Sequence, residues 1–329
     1  MKRPTLKKLA EKAGLSIGTV SRALRDDPLI AASTRRKIGA LAERMNYIPD
    51  NLGRGLQSRK SRLIGLLISN IHDSFYDQTL QGIGETATSR GYGLVVGVTG
   101  DDPEKERRQL LLFQEKRVDG VILSNYTAGT VPVLRKLARS GMPMAVCDFE
   151  TFDPSVPDVM VDDAKAMRLL AGHLIGLGHS RLAFCYCINP NAKKRFRAAA
   201  RMILRAGLEP PFCCASRREL ENLFSGPRAP TAILAYSDFH AVDAKHAAEK
   251  CGLKVPDRVS VTGFDGLVFA EWPEFNLTTI NQPKAELGSR AAELVFDQIE
   301  GKRKTSPVRF APELIIRSST SGPPPASAR

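Results

Sequence analysis

No stretch of this 329-residue sequence stays apolar for the ~18 residues that a membrane span needs. Nor does an apolar leader precede the first helical pattern, so a cytoplasmic protein is expected. The six cysteines include no CxxC pair. Cys185 and Cys187 alternate along a strand-like run and Cys213 adjoins Cys214, neither of which is a metal-ligand spacing. Buried free thiols in a reducing compartment are what this usage implies. There is no P-loop, and Gly82-x-Gly84 lacks both a preceding strand and a third glycine. His173, His179, His240 and His246 make no HExxH and no paired ligand spacing, and His173 and His179 read as structural. Asp162 and Asp163 are consecutive, so their carboxylates point apart, and Asp162 reads as ordering the chain there. These absences leave no candidate catalytic residue, no metal site and no cofactor. The polar, proline-rich end, residues 322–329, carries no leucine heptad and is expected to be disordered.

Positive charge is abundant but unevenly spread. The chain carries 48 Lys and Arg against 35 Asp and Glu, a net of +13. Residues 1–62 hold 15 of the cations and 5 of the acids; the remaining residues hold 33 and 30. A charge run is often only a solvated face. A concentration this strong reads instead as a footprint for phosphates.

The basic segment also has a local pattern. Leu6, Leu9, Ala10 and Ala13 fall at helical spacing, and Gly14 can take the left-handed conformation that ends a helix. Ser16 is a good N-cap for a second helix, with Val20, Ala23 and Leu24 inward. Ile17, Gly18, Thr19, Ser21 and Arg22 would then face outward. Helix, glycine turn and capped helix make a helix-turn-helix, whose second helix enters the DNA major groove. There Thr19 and Ser21 can bind phosphate and Arg22 can fork onto guanine. A helical hairpin packed on some other surface would show the same periodicity. A third helix is expected from about Ala32 to Met45, with Ile38, Leu41, Ala42 and Met45 inward. Its cap is either Ser33 or missing. Pro49 closes this part of the chain.

From Leu63 onward, aliphatic strands alternate with helical stretches. The strands read are Leu63–Ile68, Leu94–Val98, Gly120–Leu123, Met144–Cys147, Val159–Val161, Leu182–Tyr186, Ala232–Ala235 and Val259–Gly263. Helices such as Pro103–Lys116, Ala164–Leu177 and Ala241–Cys251 lie between them. This alternation means parallel sheets covered on both faces, and the length suits two doubly wound lobes.

Here a resemblance becomes specific. "TLKKLAEKAGLSIGTVSRAL", "TRRKI" and "MNYIPDNLGRGLQSRKSRLIGLLI" resemble the head of a lactose-repressor/GalR-type (LacI family) transcriptional regulator. The likeness continues through "QGIGETATSRGYGLVV", "RVDGVIL", "HLIGLGHSRLAF", "GLKVPDRVSVTGFD" and "LTTINQP", covering Thr5 to about Arg317 in order. It implies an all-α helix-turn-helix headpiece at 1–49 and a hinge at 50–61. A two-lobed, periplasmic-binding-protein-like α/β domain with parallel doubly wound sheets would follow at 62–321. The chain would cross between lobes near Val161, Asn281 and Leu314. In the headpiece the resemblance adds Thr5, Leu6, Ser16, Thr34 and Tyr47 to the DNA-contacting residues. In the hinge, Asp50 or Asn51 would cap a short helix formed on DNA. Asn51 and Gly53 would lie against the minor groove, and Leu56 would wedge between base pairs.

For the lobes, the resemblance implies a small-molecule effector in the cleft at the carboxyl ends of the strands. Asp73, Phe75 and Tyr76 follow the first strand, Asp148 the fourth, Ser237 and Asp238 the Ala232–Ala235 strand, and Asp265 the "SVTGF" strand. Arg195 stands twelve residues before Gly207, where the family has a ligand-forking arginine. Asp73-Ser74, Phe149 and Ala198-Ala199 depart from the family's residues. Asp238 and Asp265 could also cap the helices that follow them. The function implied is a transcriptional regulator, a repressor, acting as a homodimer on a near-palindromic operator. Its effector would be a sugar or sugar derivative. A solute-binding or enzymatic two-lobed domain is the alternative; the first would need a leader segment and the second a catalytic pair at the cleft.

Overall fold

A computed structural model describes residues 4–47, 60–71, 74–186, 190–302 and 306–325. The chain divides into two compact units, Met1–Ser61 and Arg62–Arg329.

The first unit contains α1 (Leu6–Ala13), α2 (Ile17–Ala23) and α3 (Ala32–Arg44). The Thr5 hydroxyl accepts the Lys8 amide at 3.3 Å and starts α1, and Gly14, at φ 66°, ends it. The Ser16 hydroxyl accepts the Thr19 amide at 3.1 Å and starts α2. Leu9, Ala10, Val20, Ala23, Ile38 and Ala42 form the core, with Leu6, Leu41, Met45 and Tyr47 packed around it. The helix α3 begins at Ala31 with no side-chain cap, so Ser33 does not take over that role. The missing cap costs about 0.5–2 kcal/mol.

In the second unit the parallel strands β1 (Leu63–Ile68), β2 (Gly93–Val98), β3 (Gly120–Leu123), β4 (Met144–Cys147), β5 (Asp158–Val161) and β11 (Val308–Phe310) build one sheet in the order β11-β5-β4-β3-β1-β2. The second sheet has β6 (Leu182–Cys185), β7 (Phe212–Cys214), β8 (Ala232–Ala235) and β9 (Ser260–Thr262) in the order β7-β6-β8-β9, all parallel. The helices α4 (Phe75–Ser89), α5 (Pro103–Glu115), α6 (Val131–Arg139) and α11 (Lys284–Ile299) belong to the first lobe. The second lobe has α7 (Asp163–Gly176), α8 (Pro190–Arg205), α9 (Arg217–Phe224) and α10 (Asp238–Lys250). Gly82 on α4 and Gly288 on α11 let those helices approach closely. A Cβ on either would collide with the backbone oxygen of Ala285 or Thr79.

Four strands escape the sequence reading: β7, β11 and an antiparallel pair, β10 (Thr279–Asn281) with β12 (Glu313–Ile315). Each has only three residues, too few to show alternation. The chain leaves the first sheet after Val161, returns through β10 into α11, and leaves again from β11 into β12. The expected disorder of residues 322–329 is corrected in part. Pro324 is buried and Pro323 lies against Gly178, because pinned proline rings order at little entropic cost. The hinge residues Asn51, Gly53 and Leu56 lie outside the described residues.

Candidate functional site

The headpiece surface is built by α2. Ile17 is 48% exposed, and Ser16, Gly18 and Arg22 are exposed beside it. Thr19 and Ser21 are half-buried. The Thr19 hydroxyl lies 2.9 Å from that of Ser16, and Ser21 accepts from Arg25 through both its carbonyl and its hydroxyl, at 3.0 and 3.2 Å. Arg22 carries no ion pair or side-chain hydrogen bond among the described residues. That leaves it the free polar reader on this helix. Thr5 is exposed as a cap, whereas Leu6, Thr34 and Tyr47 are half-buried, and Leu6 and Tyr47 lean on the core.

In the second unit the residues after the strands converge. Asp148, at φ 57°, follows β4, and its backbone amide donates to Val159 O at 2.8 Å. Arg195 on α8 is only 4% exposed. Its Nε donates to Asp163 Oδ1 at 2.9 Å and its Nη1 to Tyr236 O at 2.9 Å, and the guanidinium lies 3.5 Å from the centre of the Phe264 ring. Burial opposes this charge, but Asp163, followed by Tyr236, Asp265 and Asp148, more than offsets it, so its pKa is raised. Asp265, at φ 111°, accepts from Gln282 Nε2 at 2.8 Å. Burial pushes its carboxyl well above the usual range, against the pull of Arg195. Lys284 Nζ is buried and donates to the backbone oxygens of Asp265 and Gly266 at 2.6 and 2.9 Å. A lysine at the start of a first-lobe helix thus ties down the loop that carries Asp265.

Aromatic rings flank this charge cluster. Tyr126 meets Phe149 and Phe152 edge-on at 5.3 and 5.4 Å on the first lobe. On the second, His240 lies 4.4 Å from Tyr186 and 5.5 Å from Tyr236. Burial lowers His240 to about 4, so it is neutral at pH 7. Lys194 of α8 pairs with Glu150 after β4 at 3.6 Å and joins the two lobes.

The other expected cleft residues are placed differently. Phe75 and Tyr76 are buried in the first lobe's core, 6% and 7% exposed, in edge-on contact with each other. Ser237 caps α10 and contacts His240 Nδ1 at 2.6 Å. Asp238 is fully buried, accepting Thr279 Oγ1 at 2.6 Å and the Leu267 amide at 2.7 Å. Asp73 lies outside the described residues. Asp162 caps α7 at the lobe crossing, and Asp163 carries the ion pair that the sequence did not reveal.

Burial pushes Asp238 up to about 6. Its folded-state value therefore exceeds the unfolded one, and the folded chain keeps a proton that the unfolded chain loses between about pH 4 and 6. Stability should fall as pH rises through that window, by on the order of 2–3 kcal/mol, and level off above it. Asp238→Asn, whose amide can still serve Thr279 and Leu267, should remove that slope. Urea midpoints of both proteins across the window decide it; parallel profiles would mean that Asp238 folds ionised.

Family models match in both units: residues 5–50 fit the LacI family of bacterial regulatory proteins, and residues 171–320 a periplasmic binding protein-like domain. The Bacillus subtilis regulator DegA is 30% identical over 97% of this chain and 98% of its own. The chain belongs to the LacI family. The Escherichia coli repressor CytR is likewise 30% identical, over 96% of each chain. A crystal structure of the lac repressor dimer bound to operator and the anti-inducer ONPF superposes with a TM-score of 0.87 at 25% identity. That match covers 97% of this chain and all of the other.

Two features of this chain have no short sequence signature: the Asp163–Arg195 pair and the carbonyl cradle of Lys284. Of the buried polar atoms that have no hydrogen-bond partner among the described residues, three stand here: Tyr186 Oη after β6, Asp163 Oδ2 after β5 and Gln282 Oε1 after β10. All three sit at strand ends or lobe crossings, where a ligand or water would satisfy them.

Proposed function

We propose that this LacI-family chain is a cytoplasmic repressor that binds a near-palindromic operator as a homodimer and releases or tightens on binding a small polar effector. The observation that carries the reading is the union, in one chain, of an exposed reading helix with a two-lobed unit holding unsatisfied buried polar groups. Each headpiece would read one half-site through Ser16, Ile17, Gly18, Thr19, Ser21 and Arg22. The hinge residues Asn51, Gly53 and Leu56 would follow the minor groove. In the cleft, Asp148, Arg195 and Asp265 would hold hydroxyls of a sugar or sugar derivative, with Tyr126, Phe149 and Tyr186 as apolar walls. Asp73 would border it from the first lobe, with Phe75 and Tyr76 packed in the core behind that border and Ser237 and Asp238 shaping it from behind on the second. The effector acts only through its differential affinity for the lobe arrangements.

Apolar exposure supports the dimer. The edge strand β2 leaves Val96 and Val98 40% and 42% exposed, and Phe239, Val268 and Trp272 are 45%, 62% and 53% exposed on the second lobe. Such exposure on a soluble chain marks association surfaces. No helix among the described residues is long and apolar enough to cross a membrane.

Selection of bound duplexes from a random pool, with and without a metabolite panel, tests the whole reading. A palindromic consensus whose occupancy changes with one metabolite is expected. No consensus at all would overturn it. On the selected site, Arg22→Ala should lose about 1–3 kcal/mol while random-sequence binding changes much less. The reason is that Ile17 and Gly18 offer no side-chain hydrogen bonds and Ser21 is occupied by Arg25. Equal losses on both duplexes would reduce Arg22 to a phosphate contact.

A further inference from the structure

Two of the cysteines face each other at the ends of neighbouring strands. Cys185 closes β6, Cys214 closes β7, and the parallel register sets them directly opposite. Their sulfurs are 3.9 Å apart. Adjacent strands lie roughly 4.8 Å apart, inside the ~4.4–6.8 Å Cα spacing that a disulfide accepts. Side-chain rotation, rather than displacement of the strands, is therefore the main change that a bond requires. We infer that Cys185 and Cys214 form a reversible disulfide, a modification site through which peroxide acts on the effector cleft.

Burial makes most core thiols inert, and both of these are 1% exposed. Their strand is the exception. With three residues, β7 lies at the edge of its sheet and has exposed Cys213 in its middle. Local opening of a short edge strand reaches Cys214 without unfolding the lobe. A hydrogen bond with Cys185 holds the Cys214 thiol below its ordinary range, whereas burial pushes Cys185 well above it. Cys214 therefore supplies the attacking thiolate.

That thiolate attacks one oxygen of hydrogen peroxide. The O–O bond breaks, hydroxide leaves, and Cys214 becomes a sulfenic acid. The Cys185 sulfur then attacks the Cys214 sulfur, the S–O bond breaks, and water leaves with the Cys185 proton. The proton lost when Cys214 ionised neutralises the hydroxide. Two thiols and one peroxide give one disulfide and two waters, and a dithiol reverses the step.

The link to the cleft is Tyr186. It follows Cys185 directly, holds φ 67°, and donates its amide to Cys214 O at 2.7 Å. Bonding the two sulfurs alters the geometry that aims this ring beside His240. This last step, unlike the disulfide itself, rests on the effector-cleft reading.

The test uses the full chain, treated with hydrogen peroxide and then with dithiothreitol. Titratable thiols should fall from six to four and return. Peptide mapping without reductant should join Cys185 to Cys214. Hydrogen exchange at the Tyr186 amide should change on oxidation, and Cys214→Ala should abolish both the bond and the exchange change. If Cys214→Ala does not fold, Cys185→Ala replaces it. Six thiols remaining in folded, peroxide-treated protein, or crosslinks only through Cys213, would overturn the site. A Cys185–Cys214 bond with Tyr186 exchange unchanged would overturn its reach into the cleft. Thiol count and mapping do not depend on any DNA or effector, so they fail separately from the regulatory reading.

Discussion

Arg195→Ala is expected to lose about 3–5 kcal/mol of folding stability, the usual result of stripping one partner from a buried ion pair. Both partners are nearly inaccessible, with side chains 5% and 4% exposed. Asp163 would keep a buried charge with neither oxygen paired, since Oδ2 already lacks a partner. Tyr236 O would lose its donor, and the face of Phe264 its cation. Replacing both charges, in Arg195→Met with Asp163→Asn, should recover most of the loss, because the neutral pair leaves no orphaned carboxylate. Urea unfolding of both variants beside the unaltered chain measures this. A single-mutant loss below about 1 kcal/mol would mean that water reaches Asp163 and the pair is not truly buried.

This expectation changes how the cleft must be probed. A regulator deaf to its effector after Arg195→Ala could owe that to a loosened lobe rather than to a lost ligand contact. Asp265→Asn is the cleaner probe. An asparagine oxygen still accepts from Gln282, and Lys284 binds the Asp265 backbone oxygen, which the substitution leaves in place. Effector response lost with stability retained would assign Asp265 to the ligand.

Much of the scaffold was legible because its strands are long aliphatic runs. Leu63–Ile68, Gly120–Leu123, Met144–Cys147 and Ala232–Ala235 begin and end where their side-chain chemistry changes. Both faces of these strands are covered, so they read as continuous apolar runs. Phe212-Cys213-Cys214 gives no such run, and Thr279–Asn281 owes its strand to a partner, Glu313–Ile315, far along the chain. The headpiece was legible for a different reason: caps and left-handed turns are local, and Ser16 and Gly14 act within four residues of where they sit. The cleft was legible only in part. Arg195 announced itself by position, but Asp163 is 32 residues away and meets it only through the packing of α7 on α8. Asp238 was compatible with a ligand or a capping role and Ser237 was read for the ligand alone, and here their side chains serve α10, Thr279 and Leu267.

The largest effect expected for this chain is on DNA affinity as salt rises. Lys7, Lys8, Lys12, Arg36 and Lys37 are all exposed on the headpiece, and none is engaged in an ion pair among the described residues. Arg25 and Arg35 are excluded from this set, since Arg25 donates to Ser21 and Arg35 to Asp26 O at 2.8 Å. A free cation that meets a phosphate releases a condensed counterion, and salt then opposes binding by mass action. With roughly six to ten such contacts across a dimer, affinity should drop about a thousand- to a hundred-thousand-fold between ~50 and ~200 mM salt. The acids of the headpiece are too few to buffer this, at 5 against 15 cations through residue 62. Specific contacts such as Arg22 to guanine add a constant factor and leave the slope largely to the phosphates. Anisotropy titrations on the selected duplex at several salt concentrations give that slope directly. A log–log slope shallower than about −3 would mean that few of these cations meet phosphate, and that recognition rests on base contacts or on the hinge.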